Sequence, residues 1–329
     1  MNNGNASPVV FGFEYQVDAA ICIFLREIYR TLSVRVEGRF QDIEVLRSDG
    51  SYEFIQVKSI HDPQKQYTND HNLKKALHSL SRKKLTDIDS MSYCSNQKDN
   101  FIKNCKLFVD DRIIKYKYRD LDDDSRKRIN DIIFEDSLDI NTDSLSLLKI
   151  PYFQSDDIGT KKKAIIESAE KMLSDCSCST YMAYDLVITW HSVLENVASS
   201  SKMHFVCTKE DFIYIIFAKL LTEKSTNIST IDESNREIVQ KTYLETIRKK
   251  SMNYRTTNLI VNLYDEYRNT TTMPRYAEFI ELNQSTLLKE IFGINDSSDE
   301  VIIETLRAIV NNTLDVRLYI KSIKEKINL

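Results

Sequence analysis

The chain has no Walker loop, no G-x-G-x-x-G and no G-x-S-x-G. Phosphate cradling by a glycine-rich turn, dinucleotide binding and nucleophile-elbow hydrolysis therefore have no support in it. Glycine is scarce, and only Gly159 and Gly293 follow residue 150. A doubly wound nucleotide fold would need more tight turns than that. No apolar run reads as approaching the ~20 residues of a membrane span. The opening MNNGNASPVVFGFEY lacks the basic-then-apolar layout of a secretory leader. These absences predict a cytoplasmic chain with no membrane partner. The cysteines (Cys22, Cys94, Cys105, Cys176, Cys178, Cys207) include no CxxC pair, and His61, His71, His78, His191 and His204 complete no zinc pattern. Cys176-Ser-Cys178 reads as small residues near a helix junction, and the set as reduced thiols.

What is present is the composition of a folded protein, 42% hydrophobic and 29% charged. At 329 residues the chain exceeds what one core usually needs, so two domains are expected. The net charge of −4 is unevenly spread: residues 1–119 carry 19 basic and 15 acidic side chains, and the acidic excess lies beyond them. The front part is thus the better candidate for meeting a phosphate backbone.

Helical spacing runs from Phe13 to Thr31 through Tyr15, Ala19, Ala20, Ile23, Phe24 and Ile28. The period then changes to two around Val34 and Val36, Ile43 and Val45, and Ile55 and Val57, which predicts three consecutive strands. A helix is expected from about Asp70 to Leu85, with an apolar stripe of Leu73, Ala76, Leu77 and Leu80. A further strand is expected at Lys106 to Val109. Beyond Tyr118 the apolar spacing becomes mostly helical. The division predicted is 1–120, an α/β domain with a mixed sheet flanked by helices, and 121–329, an all-α domain.

The informative stretch is Val34–Ile60, VRVEGRFQDIEVLRSDGSYEFIQVKSI. Ser48-Asp49-Gly50 has the residue types of a three-residue hairpin loop closed by a left-handed glycine. Under that loop, partners sum to 98, so Asp42 lies across from Gln56, with Lys58 two residues further along the same face. Ile43, Val45, Ile55 and Val57 gather on the other face as core. Asp42 can supply a carboxylate, Gln56 an amide oxygen and Val57 a backbone carbonyl to a hard cation such as Mg²⁺ or Mn²⁺. Lys58 beside them can orient a water and stabilise charge on a phosphate. Glu37 is the first choice to hold a second ion, and Glu44 is a further carboxylate at that edge. The spacing alone also fits an ordinary solvent-facing hairpin.

Gly12-Phe-Glu-Tyr-Gln16, Val36-Glu37, Asp42-Ile-Glu44 and Ile55-Gln56-Val57-Lys58, with a basic helix after them, resemble the PD-(D/E)XK restriction-endonuclease-like superfamily. More narrowly, they resemble the double-stranded DNA endonuclease domains of bacterial anti-phage effectors, as in SAVED-fused CBASS effectors and the nuclease subunit of Lamassu-type systems. The resemblance covers about residues 11–110. It implies Asp42 as metal-binding acid, Gln56 in place of the Glu or Gln of other members, Lys58 as catalytic lysine and Gln16 as a supporting residue. It also implies cleavage of double-stranded DNA. A SAVED sensor would bring its own α/β repeats, so control is expected through oligomerisation or through an SMC-like ATPase and a small accessory subunit. The alternatives are a non-catalytic DNA-binding or scaffold protein with a decayed nuclease fold, an interaction protein acting through its helical part, or RNA as substrate.

Lys74, Lys75, Arg82, Lys83 and Lys84 flank the predicted helix and are candidates for tracking phosphates. His61 reads as a loop residue and Trp190-His191 as core. Lys161-Lys162-Lys163 starts a helix, where cations fit the dipole poorly, and this points to a partner or an exposed loop.

Overall fold

The computed structural model describes residues 7–60, 70–83, 86, 88–97, 112–199, 206–228, 233–249 and 253–327. The expected strand at 106–109, His61 and Lys84 lie outside them.

Helix α1 spans Ser7–Arg26, starting and ending earlier than its apolar period suggested. A turn at 27–30, with the Arg30 amide donating to the Glu27 carbonyl at 3.1 Å, leads directly into β1 (Thr31–Val36). Strands β2 (Ile43–Arg47) and β3 (Tyr52–Lys58) follow, then α2 (His71–Leu80) and β4 (Ser90–Ser95). After β5 (Ile114–Lys117) and α3 (Asp123–Glu135) comes β6 (Leu145–Lys149). The short α4 (Ile158–Lys161), α5 (Lys163–Asp175), α6 (Ala183–Ser199) and β7 (Cys207–Thr208) complete this part.

The seven strands form one mixed sheet in the order β5-β6-β4-β3-β2-β1-β7. β3 and β4 are parallel, as are β4 and β6, and the other pairings are antiparallel. The hairpin register is the expected one: Ile43 faces Ile55 and Leu46 faces Tyr52. Arg47 donates to the Ser51 carbonyl at 2.9 Å and Gly50 to the Arg47 carbonyl at 3.0 Å, with Gly50 at φ 83°. Glycine enters that region without steric cost.

Both faces of the sheet are covered. On one, Met91, Tyr93, Leu145 and Leu147 form a core with Leu73, Ala76, Leu77 and Leu80 of α2 and with Ile129 and Ile132 of α3. On the other, α1 packs against α5 and α6 and lies on β1. α1 is long and apolar enough, by composition, to cross a membrane, contrary to the expectation that no run approaches that length; 61% of the apolar window at Pro8–Arg26 is buried within the protein. Its apolar residues are those of a core helix.

The division of the chain is not at residue 120. One compact unit comprises residues 1–175 and 179–209, the other 176–178 and 210–329. The physical reason is β6, which lies between β4 and β5, and the α5–α6 pair, which covers α1. The charges of Lys161 and Lys162 are likewise internal to the first unit. Lys161 meets Glu14 at 2.5 Å, and buried Lys162 meets Asp18 at 2.8 Å and His191 at 2.8 Å. His191 also meets Asp18, at 2.7 Å. The expectation of an exposed loop or partner is replaced by neutralisation of α1 acids. Trp190 is core as expected, whereas His191 belongs to this ionic group.

The second unit is helical. It contains α7 (Lys209–Glu223), α8 (Arg236–Arg248), α9 (Tyr254–Thr270), α10 (Tyr276–Phe292), α11 (Glu300–Asp315) and α12 (Arg317–Ile327). α11 packs against α8, α9, α10 and α12. Gly293, at φ 73°, ends α10 as a left-handed cap. Cys176 and Cys178 are buried and, among the described residues, in no disulfide, and burial pushes Cys178 up to about 12.

Candidate active site

The β1–β2 connection meets the end of β3 at one point on the sheet. Glu37 follows β1 with φ 52°, the left-handed region, which costs a non-glycine residue on the order of 1 kcal/mol. Its amide donates to the Asp42 carbonyl at 2.8 Å, so the two acids stand at the two ends of a closed loop. Three hydrogen bonds stake that loop. The Phe40 amide donates to Glu44 Oε1 at 2.7 Å, Gln41 Nε2 donates to the Ser79 carbonyl of α2 at 2.9 Å, and the Ser79 hydroxyl donates to Gln41 Oε1 at 3.3 Å. Gly38 lies directly on the Glu44 side chain, where any Cβ would collide.

Asp42 is held from several sides. Its Oδ2 accepts from the Val57 amide at 2.8 Å and from the Gln56 side-chain amide, and Lys58 Nζ stands 3.9 Å away. Gln16, reaching from α1, stands close enough to both Asp42 and Glu37 to pull their carboxyls down. Asp42, Gln56 and Lys58 are thus brought together as the hairpin register predicts, and Glu37 and Gln16 stand beside them. Accessibility divides them. The side chains of Asp42 and Lys58 keep 20% and 28% of their surface, whereas Gln56 keeps 4%. The first two are open to solvent. Gln56 lies beneath them, and its amide nitrogen, rather than the expected oxygen, faces Asp42.

The electrostatics are those of an uncompensated acid pair. Burial, then the charge of Asp42, raises the Glu37 carboxyl above its ordinary value, with Lys58 and Gln16 pulling the other way. Burial also raises Asp42, outweighing Lys58, the Val57 amide, Gln56 and Gln16. One ammonium does not offset two partly desolvated carboxylates. Among the described residues Gln16 Oε1 is buried and accepts no hydrogen bond, which leaves a neutral oxygen without a donor beside the two acids. This donor set fits a hard divalent cation, which prefers oxygen and keeps several waters. Among the described residues no three His, Cys, Asp or Glu side chains converge. An ion here would therefore be completed by amide or backbone oxygens and water.

The remaining candidates are placed differently. Glu44 is buried, 3.7 Å from Arg35 and bonded to the Phe40 amide. It supports the loop and does not join Asp42. Lys74 is engaged by Asp136 at 2.8 Å, as is His78, so the α2 flank is not a uniform row of free cations. Lys75 and Arg82 are exposed. Lys83 lies with its Nζ 4.0 Å from the Phe40 ring centre. Gly38–Gln41 belongs to this region without a motif to mark it; its one signal in the sequence is a glycine and an aromatic residue set between two acids.

No family model matches the chain, and comparisons with curated proteins and with solved structures return no match.

Proposed function

We propose that the chain is a metal-dependent endonuclease acting on double-stranded DNA, with its active site at Asp42, Glu37 and Lys58. The observation that carries this reading is the Lys58 ammonium 3.9 Å from the Asp42 carboxylate, at an accessible point beside a second acid. The resemblance of the same residues to the restriction-endonuclease-like superfamily supports it. When bound, Mg²⁺ or Mn²⁺ supplies Lewis-acid polarisation of the phosphate and an acidified water.

Asp42 and Glu37 would hold that ion, with Gln56 and the Val57 carbonyl as neutral donors. Ligation through Gln56 requires its amide to turn over from the orientation seen here. The Val57 amide fixes the Asp42 carboxylate, and Gln16 of α1 stands beside Asp42 and Glu37. Lys58 is free to reach a phosphate oxygen, to stabilise its growing negative charge and to orient the attacking water. The biological setting proposed is an anti-phage effector. Its nuclease is restrained by oligomerisation or by an SMC-like ATPase and a small accessory subunit, through the helical unit.

Incubation of the full chain with supercoiled plasmid and Mg²⁺ or Mn²⁺ tests the activity. Nicking and linearisation are expected, abolished by EDTA and reduced about a hundredfold or more in Lys58→Ala. A parallel arm with structured RNA distinguishes the substrate. Intact plasmid under all conditions, or cutting that survives Lys58→Ala, contradicts the reading.

A further inference from the structure

The loop that joins Glu37 to Asp42 carries a second feature that the proposed chemistry does not use. Phe40 is exposed to 46%. Its ring lies edge-on to Phe54 at 6.2 Å between centres, and Phe54 stacks on half-exposed Tyr52 at 5.7 Å and 20°. Two cations attend the Phe40 ring, the Arg39 guanidinium at 5.3 Å and Lys83 Nζ at 4.0 Å, and Lys83 is also 5.2 Å from the Phe54 ring. Among the described residues, neither cation has a carboxylate partner.

An exposed aromatic residue at a loop tip gains little for stability, yet this loop is rigidly held. Glu44, Gln41 and the close seat of Gly38 fix its course. The same interactions fix Phe40 relative to Asp42, two residues on and no more than about 7 Å away along the chain. A planar ring and a planar guanidinium offer stacking surfaces to a nucleobase, and an ammonium offers a point charge to a phosphate. Aromatic rings interleaved with cations are what a strand with an unstacked base requires. A protein partner would be expected to meet a broader apolar patch and acidic complements.

We infer that Arg39, Phe40 and Lys83 form a strand-binding platform beside the cleavage site, with one unpaired base stacked on Phe40 and adjacent phosphates on Arg39 and Lys83. This rests on the endonuclease reading and deepens it. The DNA is held where a base has left the helix, so frayed, gapped or single-stranded segments bind better than continuous duplex.

Fluorescence anisotropy of the full chain in EDTA tests this apart from cleavage, with a labelled 15-mer single strand and a hairpin duplex as probes. Phe40→Ala is expected to weaken single-strand binding about tenfold, with less effect on the duplex and no change in the salt dependence. Phe40→Trp is expected to restore it. Arg39→Gln and Lys83→Gln should each lower the slope of log K against log salt by about 0.7 for each phosphate no longer neutralised. The inference is overturned if the wild-type chain ignores the single strand, if Phe40→Ala binds it as well as wild type, or if Phe40→Trp is no better than Phe40→Ala. Cutting with Phe40-independent binding sinks the platform and leaves the nuclease standing. Phe40-dependent binding by a chain that never cuts does the reverse.

Discussion

Asp42 and Glu37 are kept partly out of water next to each other, and each has its carboxyl raised above the ordinary value. A group raised on folding contributes stability that is present below its unfolded value and is lost as pH rises through its folded one. In the absence of divalent ions, therefore, the acid pair destabilises the protein at neutral pH relative to mildly acidic pH. Asp42→Asn keeps an acceptor for Val57 and Gln56 while removing the charge. Thermal melts in EDTA should show a higher Tm for this variant than for wild type at pH 7.5, with the difference shrinking towards pH 4. Added Mg²⁺ should raise the wild-type Tm and leave the variant unmoved. A lower Tm for the variant in EDTA would mean that the carboxylate is structural. Such a gain is what the proposed role of Asp42 predicts, as a trade between stability and activity. At this scale the sequence was informative. Gly50 set the hairpin register, and the register set Asp42 against Gln56. The orientation of the Gln56 amide was beyond it, and so was the approach of Gln16, which depends on how α1 docks.

Among the elements, the hairpin also carries a buried ionic group at its other end. Glu53 of β3 is bonded by Arg47 of β2, by Lys115 of β5 at 2.7 Å and by Ser92 of β4 at 2.6 Å. Burial alone would push its carboxyl up, but Lys115, Arg47 and Ser92 pull it down to about 2. A depressed carboxylate contributes stability above its unfolded value, near 4.5, that is lost as pH falls towards the folded one. Acid titration should therefore cost about 3 kcal/mol between those limits. Glu53→Gln should remove on the order of 3 kcal/mol at pH 7, because buried Arg47 and part-buried Lys115 are left to share Glu27 alone. Urea denaturation reads both, and a loss under about 1 kcal/mol would show the group to be screened. Strands β4 and β6 were not anticipated for a related reason. β4 (SMSYCS) and β6 (LSLLK) are short, serine-bearing runs without β-branched residues, so their period-two signal is weaker than that of β1 to β3. Basic flanks mislead in the same way. Nothing in His71–Leu80 announces that Asp136, far along the chain, takes up Lys74 and His78.

For the whole molecule, the sheet decides where the chain divides. A strand at 145–149 inserted between β4 and β5, and a helix pair at 163–199 over α1, bind residues beyond 120 into the first unit. The shift to helical spacing after Tyr118 was real, but it marked helices that belong to the sheet as well as those of the second unit. A chain ending at residue 209 should therefore melt cooperatively by circular dichroism. One ending at residue 120 should not, since it lacks β6 and the cover of α1. Cooperative unfolding of the shorter chain would contradict this division. The most direct test of the central claim is anomalous diffraction from crystals of the full chain soaked in Mn²⁺. A peak between the Asp42 and Glu37 carboxylates, absent in Asp42→Ala, is the result predicted. Well-ordered side chains with no peak at saturating Mn²⁺ would contradict it.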